Sequence, residues 1–173
     1  KYYISETANT IADNALQIHG GSGYTEDYDV SKIYRDARIT NIYEGTTQLQ
    51  VVGAIGSVVA GMSATGFLRA YLDKETSKFA ASDRFLRVRK LFETVVDSFF
   101  FILESATRDS LAFEVVESAA RCINGMLLER TASRLTDKQK SDRLVLAAEY
   151  HIDSLAAIES NLIKIQERGK VAA

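Results

Sequence analysis

Apolar positions recur at helical intervals along almost the whole chain. Ile4, Ala8, Ile11, Ala15 and Ile18 fall three or four residues apart, the spacing of one face of an α-helix. The spacing predicts a helix from the first residues to Gly20-Gly21, where glycine admits the left-handed residue that ends a helix. No capping residue precedes it, so it reads as the tail of a longer helix, and the opening Lys1-Tyr2-Tyr3, without methionine, fits that expectation. A short helix is predicted from Val30 to Arg38, with Val30, Ile33, Tyr34 and Ala37 turned inward. Residues 39–45 read as a loop. Thr46 or Thr47 can cap the helix that follows, which carries Leu49, Val52, Ile55, Val58 and Val59. Gly53, Gly56 and Gly61 lower the stability of that helix, and close backbone packing is the expected reason for them.

Three further helices are predicted beyond residue 80. Phe85, Val88, Phe92, Val95, Phe99 and Ile102 form one apolar stripe, and Val115, Ala119, Ile123 and Leu127 a second. Val145, Ala148, Ile152, Leu155, Leu162 and Ile165 form the third. Asp83 and Asp142 are the expected N-terminal caps. The periodicity as a whole predicts an all-α fold.

Composition strengthens that reading, because the chain of 173 residues contains no proline where average usage is about 5%. Nothing therefore interrupts a helical hydrogen-bond ladder. Twenty-one basic residues against 23 acidic ones give a net charge of −2, which excludes a global field that recruits nucleic acid. The single cysteine, Cys122, excludes an internal disulfide and a cysteine-based zinc site. Its apolar neighbours mark it as a small buried hydrophobe, and a reducing, intracellular compartment is expected. The longest apolar runs, such as that from Val95 to Leu103, are broken by Asp97 and Ser98 and fall far short of a membrane span. Eight of the ten glycines lie between Gly20 and Gly66, and seven of the eight tyrosines precede residue 72. This asymmetry places any chemistry in the first part of the chain.

Two strings there carry candidate chemistry. In Gln17-Ile18-His19-Gly20-Gly21-Ser22-Gly23-Tyr24, three glycines within four positions let main-chain amides approach a phosphate. Glu26 stands where a dinucleotide fingerprint needs its third glycine, and no Gly-Lys-Ser/Thr follows for a P-loop. Alone, the string reads as a helix-ending turn. The second string is Tyr34-Arg35-Asp36-Ala37-Arg38, followed by Ile42-Tyr43-Glu44-Gly45-Thr46-Thr47-Gln48. Glu44 lies between apolar residues and a flexible glycine, and a carboxylate held against apolar groups is poised to take a proton near neutral pH. An exposed loop glutamate is the alternative. Arg35 and Asp36 read as an ion pair. His19 and His151 are too far apart, with too few acidic partners in register, to make a metal site. Ser22 lacks the setting of a hydrolase nucleophile. The basic cluster Arg84, Arg87, Arg89 and Lys90 reads as a solvated helix face, with an anionic membrane surface or a CoA phosphate as the alternatives.

Taken together and in order, Gln-x-x-Gly-Gly-x-Gly-Tyr, Tyr-Arg-Asp-Ala-Arg and Ile-Tyr-Glu-Gly-Thr-x-Gln resemble the C-terminal helical domain of acyl-CoA dehydrogenases. The resemblance spans roughly residues 1–60. It implies an up-and-down helical bundle, with residues 1–66 as the C-terminal part of the catalytic helical domain and 67–173 as a helical extension. It implies an FAD-dependent enzyme of fatty acid β-oxidation that performs α,β-dehydrogenation of an acyl-CoA thioester. Glu44 matches the base that removes the α-proton while the β-hydrogen leaves as hydride to flavin N5. Gly45 matches a substrate-side position. Thr46, Thr47 and Gln48 match FAD-contacting positions, and Gln17, Ile18, His19, Gly20 and Gly21 match the stretch at the adenosine diphosphate of an FAD held by a neighbouring subunit. Arg35 and Asp36 are expected to brace the fold around that site.

The resemblance further implies acyl-CoA as substrate, electron-transfer flavoprotein as partner, a homodimer or homotetramer, and the bacterial cytoplasm or mitochondrial matrix as compartment. Val51 and Gly56 replace arginines that many members carry, so contacts based on those arginines are not expected. The segment after Phe67 exceeds the ending of short- and medium-chain members, and dimer contacts or membrane association are the roles to test for it. As a C-terminal piece of such an enzyme, the isolated chain is expected to hold no FAD and to be inactive. A non-catalytic helical interaction module and an acyl-CoA oxidase-type flavoprotein are the alternative readings.

Overall fold

Helical periodicity becomes eight helices among the described residues, 1–171 of a computed structural model, with no strand among them. The all-α expectation holds. The chain divides into two compact units, Lys1–Gly53 and Ala54–Ala173; positions 172–173, the end of the expected extension, lie outside the described residues.

In the first unit, α1 (Tyr2–Tyr24) packs against α2 (Val30–Ile39), and α3 (Thr47–Gly61) begins after a short loop. The apolar stripe predicted for α1 does not face α2. Ile4, Ile11 and Ile18 are 74%, 63% and 84% exposed, whereas Tyr2, Ser5 and Ala12 are buried. Small and polar side chains lie inward because they let α2 approach closely and hydrogen-bond to it. At Gly20 the helix breaks with φ 61° and ψ −148°, and a further turn runs to Tyr24. The predicted stop at Gly20-Gly21 is thus a kink. In α2, Val30 is buried but Ile33, expected inward, is exposed. Thr46 caps α3, its hydroxyl accepting from Leu49 N–H at 3.4 Å.

The second unit is built on α5 (Asp83–Phe100), α7 (Ala112–Ala132) and α8 (Asp137–Val171), which pack against one another. Helices α4 (Phe67–Thr76) and α6 (Ser105–Ser110) flank α7; neither was predicted. All six predicted positions are buried, Phe85, Val88, Phe92, Val95 and Phe99 on α5 and Ile102 just beyond its end. Its cap is Ser82 rather than Asp83, the hydroxyl accepting from Phe85 N–H at 3.2 Å, while Asp83 sits in the first turn, where a negative charge is favoured. Asp142 is likewise no cap, since α8 begins five residues earlier, at Asp137.

Helix α8 is rotated from its predicted orientation. Val145 and Ile152 are exposed, and the buried seam is Ala147, His151, Ser154, Ile158, Asn161 and Ile165. Three of those six are polar. His151 Nε2 bonds Glu129 Oε1 at 2.9 Å, and Glu129 also accepts from the main-chain N–H of Ser82 at 2.9 Å and from its hydroxyl. Asn161 donates to the Glu114 carbonyl and to Glu117. Buried polar groups need such partners.

The glycines of α3 divide. A Cβ on Gly61 would lie 2.9 Å from Leu68 Cβ, so close packing explains it, but Gly53 and Gly56 meet nothing within 4 Å. Arg89 also leaves its predicted solvated cluster: it is largely buried and pairs with Asp73 and with Glu93 at 3.2 Å. Arg84, Arg87 and Lys90 remain exposed. After α5 the chain presents Phe100, Phe101 and Leu103 to solvent. Among the described residues, no helix is long and apolar enough to cross a membrane.

Candidate active site

Two helix ends bracket the loop that carries Glu44. Helix α2 closes with the Thr40 N–H and hydroxyl both donating to the Ala37 carbonyl. The amides of Ile42 and Tyr43 then fold back onto the Ile39 carbonyl, at 3.0 and 3.1 Å. Glu44 follows with φ 51° and Gly45 with φ 91°. Two successive left-handed residues turn the chain sharply into α3. For glycine that conformation is free; for glutamate it costs about 1–3 kcal/mol and persists only where neighbouring contacts impose it.

Those contacts are side chains on main-chain carbonyls. The Lys1 ammonium donates to the carbonyls of Tyr43 and, at 2.6 Å, Gly45. The Gln50 amide donates to the Glu44 carbonyl between them, at 2.7 Å. A Cβ at Gly45 would lie 2.8 Å from Gln50 Nε2 and would push that amide away from the Glu44 carbonyl. The loop's two ends are also tied. Glu6, on α1, accepts from Asn41 Nδ2 at 3.0 Å and from the Thr47 hydroxyl. Asn9, one turn on, donates to Asn41 Oδ1 and to the Ala37 carbonyl, each at 3.0 Å. The hydrogen bonds from Thr47 and Asn41 outweigh burial and hold the Glu6 carboxyl below its ordinary value, with the nearby Arg38 charge assisting. Glu6, Asn9, Arg38, Asn41 and Thr47 line part of one cavity of about 650 Å³.

This network was not anticipated from the sequence. Its signal is a polar stripe, Glu6, Asn9 and Asp13, at helical spacing along α1; such a stripe ordinarily marks a solvated face.

Of the predicted site residues, Glu44, Gly45, Thr46, Thr47 and Gln48 come together in this loop and the first turn of α3. Glu44, Thr46 and Gln48 are exposed, and Gly45 and Thr47 half-buried. Ile42 and Tyr43 are exposed as well, so the described residues do not give Glu44 the apolar enclosure expected from its neighbours. Gln17, Ile18, His19, Gly20 and Gly21 are exposed at the other end of α1, about 20 Å from Glu6 at 1.5 Å per residue. The two groups do not form one cluster. Gly20 and Gly21 bear no side chain, and a Cβ on either would meet nothing within 4 Å, so open space surrounds this turn. His19 bonds the Ala15 carbonyl at 2.8 Å. Arg35 does not pair with Asp36: it lies 4.0 Å from Glu26, and both partners are exposed, an arrangement too weak to brace the site. Among the described residues, no group of three or more histidines, cysteines or acidic residues is arranged to hold a metal ion.

Comparison with known proteins falls on this same segment. Residues 1–57 match the model of the acyl-CoA dehydrogenase C-terminal domain. The resemblance carried by the three linked motifs is therefore shown for that stretch, which includes the whole Glu44 loop. Relatives similar to this segment include a caffeyl-CoA reductase-Etf complex subunit from Acetobacterium woodii, 48% identical over 62 residues. A 3-(aryl)acrylate reductase from Clostridium sporogenes is 52% identical over 50 residues. The mitochondrial short/branched chain specific acyl-CoA dehydrogenase of Rattus norvegicus is 49% identical over 51. These matches cover 36%, 29% and 30% of this chain, and 15%, 13% and 12% of the respective relatives. No solved structure matches the chain.

Proposed function

We propose that the chain is the C-terminal portion of an FAD-dependent acyl-CoA dehydrogenase-type enzyme and that Glu44 is its α-proton base. One observation carries this reading. Within a segment about half identical to dehydrogenases and reductases, Glu44 is held in a left-handed conformation between two carbonyls clamped by Lys1. Residues 1–66 would complete the catalytic helical domain and 67–173 would form an extension to it. The exposed isoleucine stripe of α1 supports burial of this segment against other helices of a larger assembly, because a contiguous exposed apolar stripe marks an interaction surface.

The chemistry follows from the carboxylate. The α-hydrogen of an acyl thioester is weakly acidic, and a carboxylate fixed beside it takes the proton as the α–β bond becomes a double bond. FAD, when bound, supplies the acceptor for the β-hydrogen and its electron pair. Gly45 leaves the acyl group unobstructed. Thr46, Thr47 and Gln48 would contact that cofactor directly, and residues 17–21 would meet the adenosine diphosphate of one held by another subunit. The apolar surroundings that Glu44 lacks in this chain would come from bound substrate. In the reducing direction the same carboxyl returns a proton to the α-carbon, and the reductases among the relatives make direction a property to measure. Acyl-CoA, electron-transfer flavoprotein and a homo-oligomer complete the reading, in a bacterial cytoplasm or mitochondrial matrix. Exposed Phe100, Phe101 and Leu103 give the extension an apolar surface for dimer contacts or for membrane association, the two roles to test.

The test is Glu44→Gln in the complete enzyme. Exchange of the substrate α-proton with deuterated solvent should stop while circular dichroism and flavin content stay unchanged; exchange at the original rate eliminates Glu44 as base and favours a non-catalytic helical module. Oxygen uptake compared with flavoprotein-coupled reduction separates an oxidase from a dehydrogenase. The 173-residue chain alone should retain no flavin absorbance and turn over no acyl-CoA.

A further inference from the structure

We infer that Glu6 is a positioning residue for Glu44, acting through Thr47 and Asn41, an inference that rests on reading Glu44 as the base. Glu6 accepts hydrogen bonds from residues on both sides of the loop: Asn41, just after α2, and Thr47, the first residue of α3. One carboxylate thus fixes the separation of the loop's ends, assisted by the Thr47 amide on the Asn41 carbonyl at 3.3 Å. Five residues, 42–46, must then span a fixed gap. Lys1 and Gln50 hold the carbonyls of residues 43, 44 and 45 within that span. A glutamate leaves the left-handed region once such constraints go, and its carboxylate then points elsewhere.

Glu6 itself is removed from the reacting atoms by this route: its Oε1 is engaged by Asn41 and Thr47. Asn9 supports it from the same helix face by holding Asn41. The acceptor matters more than the charge for the loop's shape, because Thr47 and Asn41 both donate to a single oxygen. A glutamine at position 6 retains that oxygen, and an alanine does not.

The experiment is NMR on the labelled 173-residue chain, comparing wild type with Glu6→Ala, Glu6→Gln and Thr47→Val. The Glu44 Cα shift and its H–N–Cα–H coupling report the sign of φ. Glu6→Ala and Thr47→Val should move Glu44 out of the left-handed region and speed amide exchange at residues 43–47 by about tenfold or more, the value of one lost charge-assisted hydrogen bond. Glu6→Gln should keep wild-type values, and resonances of α5, α7 and α8 should not move in any variant. The inference is overturned if Glu44 keeps its φ and exchange rate in Glu6→Ala, or if protection falls equally throughout the chain. Should Glu6→Ala not fold, Thr47→Val decides alone. In the complete enzyme, Glu6→Ala should lower kcat with KM for acyl-CoA unchanged, and Glu6→Gln should restore it. Full turnover by Glu44→Gln would end the catalytic reading without altering the NMR result, whereas an undisturbed loop in Glu6→Ala ends only the positioning role.

Discussion

The same substitution, glycine to alanine inside a helix, should have opposite signs at Gly125 and Gly53. Gly125 lies in α7 beneath the ring of His151, which is fully buried. An added Cβ would stand 2.6 Å from His151 Cε1 and 2.9 Å from Nδ1. The ring cannot yield like the end of a flexible chain, because its Nε2 is fixed by the 2.9 Å bond to Glu129 and it packs against Phe85 at a centroid distance of 5.7 Å. Overpacking of this kind costs about 1–3 kcal/mol. Displacing the ring would also weaken a bond to a buried carboxylate, adding about 1–3 kcal/mol. Alanine recovers only about 1 kcal/mol of helix propensity, so Gly125→Ala should destabilise by about 3 kcal/mol. Gly53 is exposed, with nothing within 4 Å of a Cβ, and Gly53→Ala should gain about 1 kcal/mol from propensity alone. Urea unfolding followed by circular dichroism at 222 nm measures both, and a change of about 3 kcal/mol moves a midpoint by about 6–12 °C in thermal melts of domains this size. A Gly125→Ala chain as stable as wild type would refute the packing argument, whatever Gly53→Ala does.

Two further predictions concern buried ionisable groups. Burial pushes the Glu129 carboxyl up, but the hydrogen bonds from His151 and from the hydroxyl and main chain of Ser82 prevail and hold it below its ordinary 4.5. A carboxyl depressed by folding adds stability above its unfolded value, and that stability disappears as pH falls through the folded value. Stability measured by urea unfolding should therefore fall from about pH 4.5 downward, and Glu129→Gln should flatten that slope; an unchanged slope assigns the acid sensitivity to other groups. The Cys122 thiol is pushed up to about 12, first by burial and further by Glu93, with Arg89 pulling it back. Iodoacetamide at pH 8 should consequently label it only at the rate of unfolding, read by mass spectrometry with and without denaturant; rapid labelling of the folded chain would show that the thiol is accessible.

Where side chains on a stripe are uniformly apolar, as from Phe85 to Phe99 on α5, their spacing alone gives the buried face. It misleads on α8, because His151, Ser154 and Asn161 occupy inward positions that periodicity assigns to solvent; the partners of His151 and Asn161 lie on α7, far away in sequence. It misleads on α1 in the opposite sense. The isoleucines are the most regular apolar series in the first unit, yet they are exposed, whereas Ser5 and Ala12 are buried and Asn9 bonds to α2 through the Ala37 carbonyl. Motif spacing located the Glu44 loop, and hydroxyl chemistry the Thr46 cap. The clasp by Lys1, Glu6 and Gln50 depends on main-chain carbonyls, which every residue possesses and no sequence pattern distinguishes.

The polar seam of α8 gives that helix an address as well as a partner. An apolar seam repeating every seven residues can slide by one repeat, about 10.5 Å at 1.5 Å per residue, and still meet apolar neighbours. In α8 such a slip would bring Leu144 or Ile158 against the Glu129 carboxylate and take Asn161 from Glu114 and Glu117. A 35-residue helix is thereby confined to one axial position, because every neighbouring register leaves a carboxylate facing hydrocarbon.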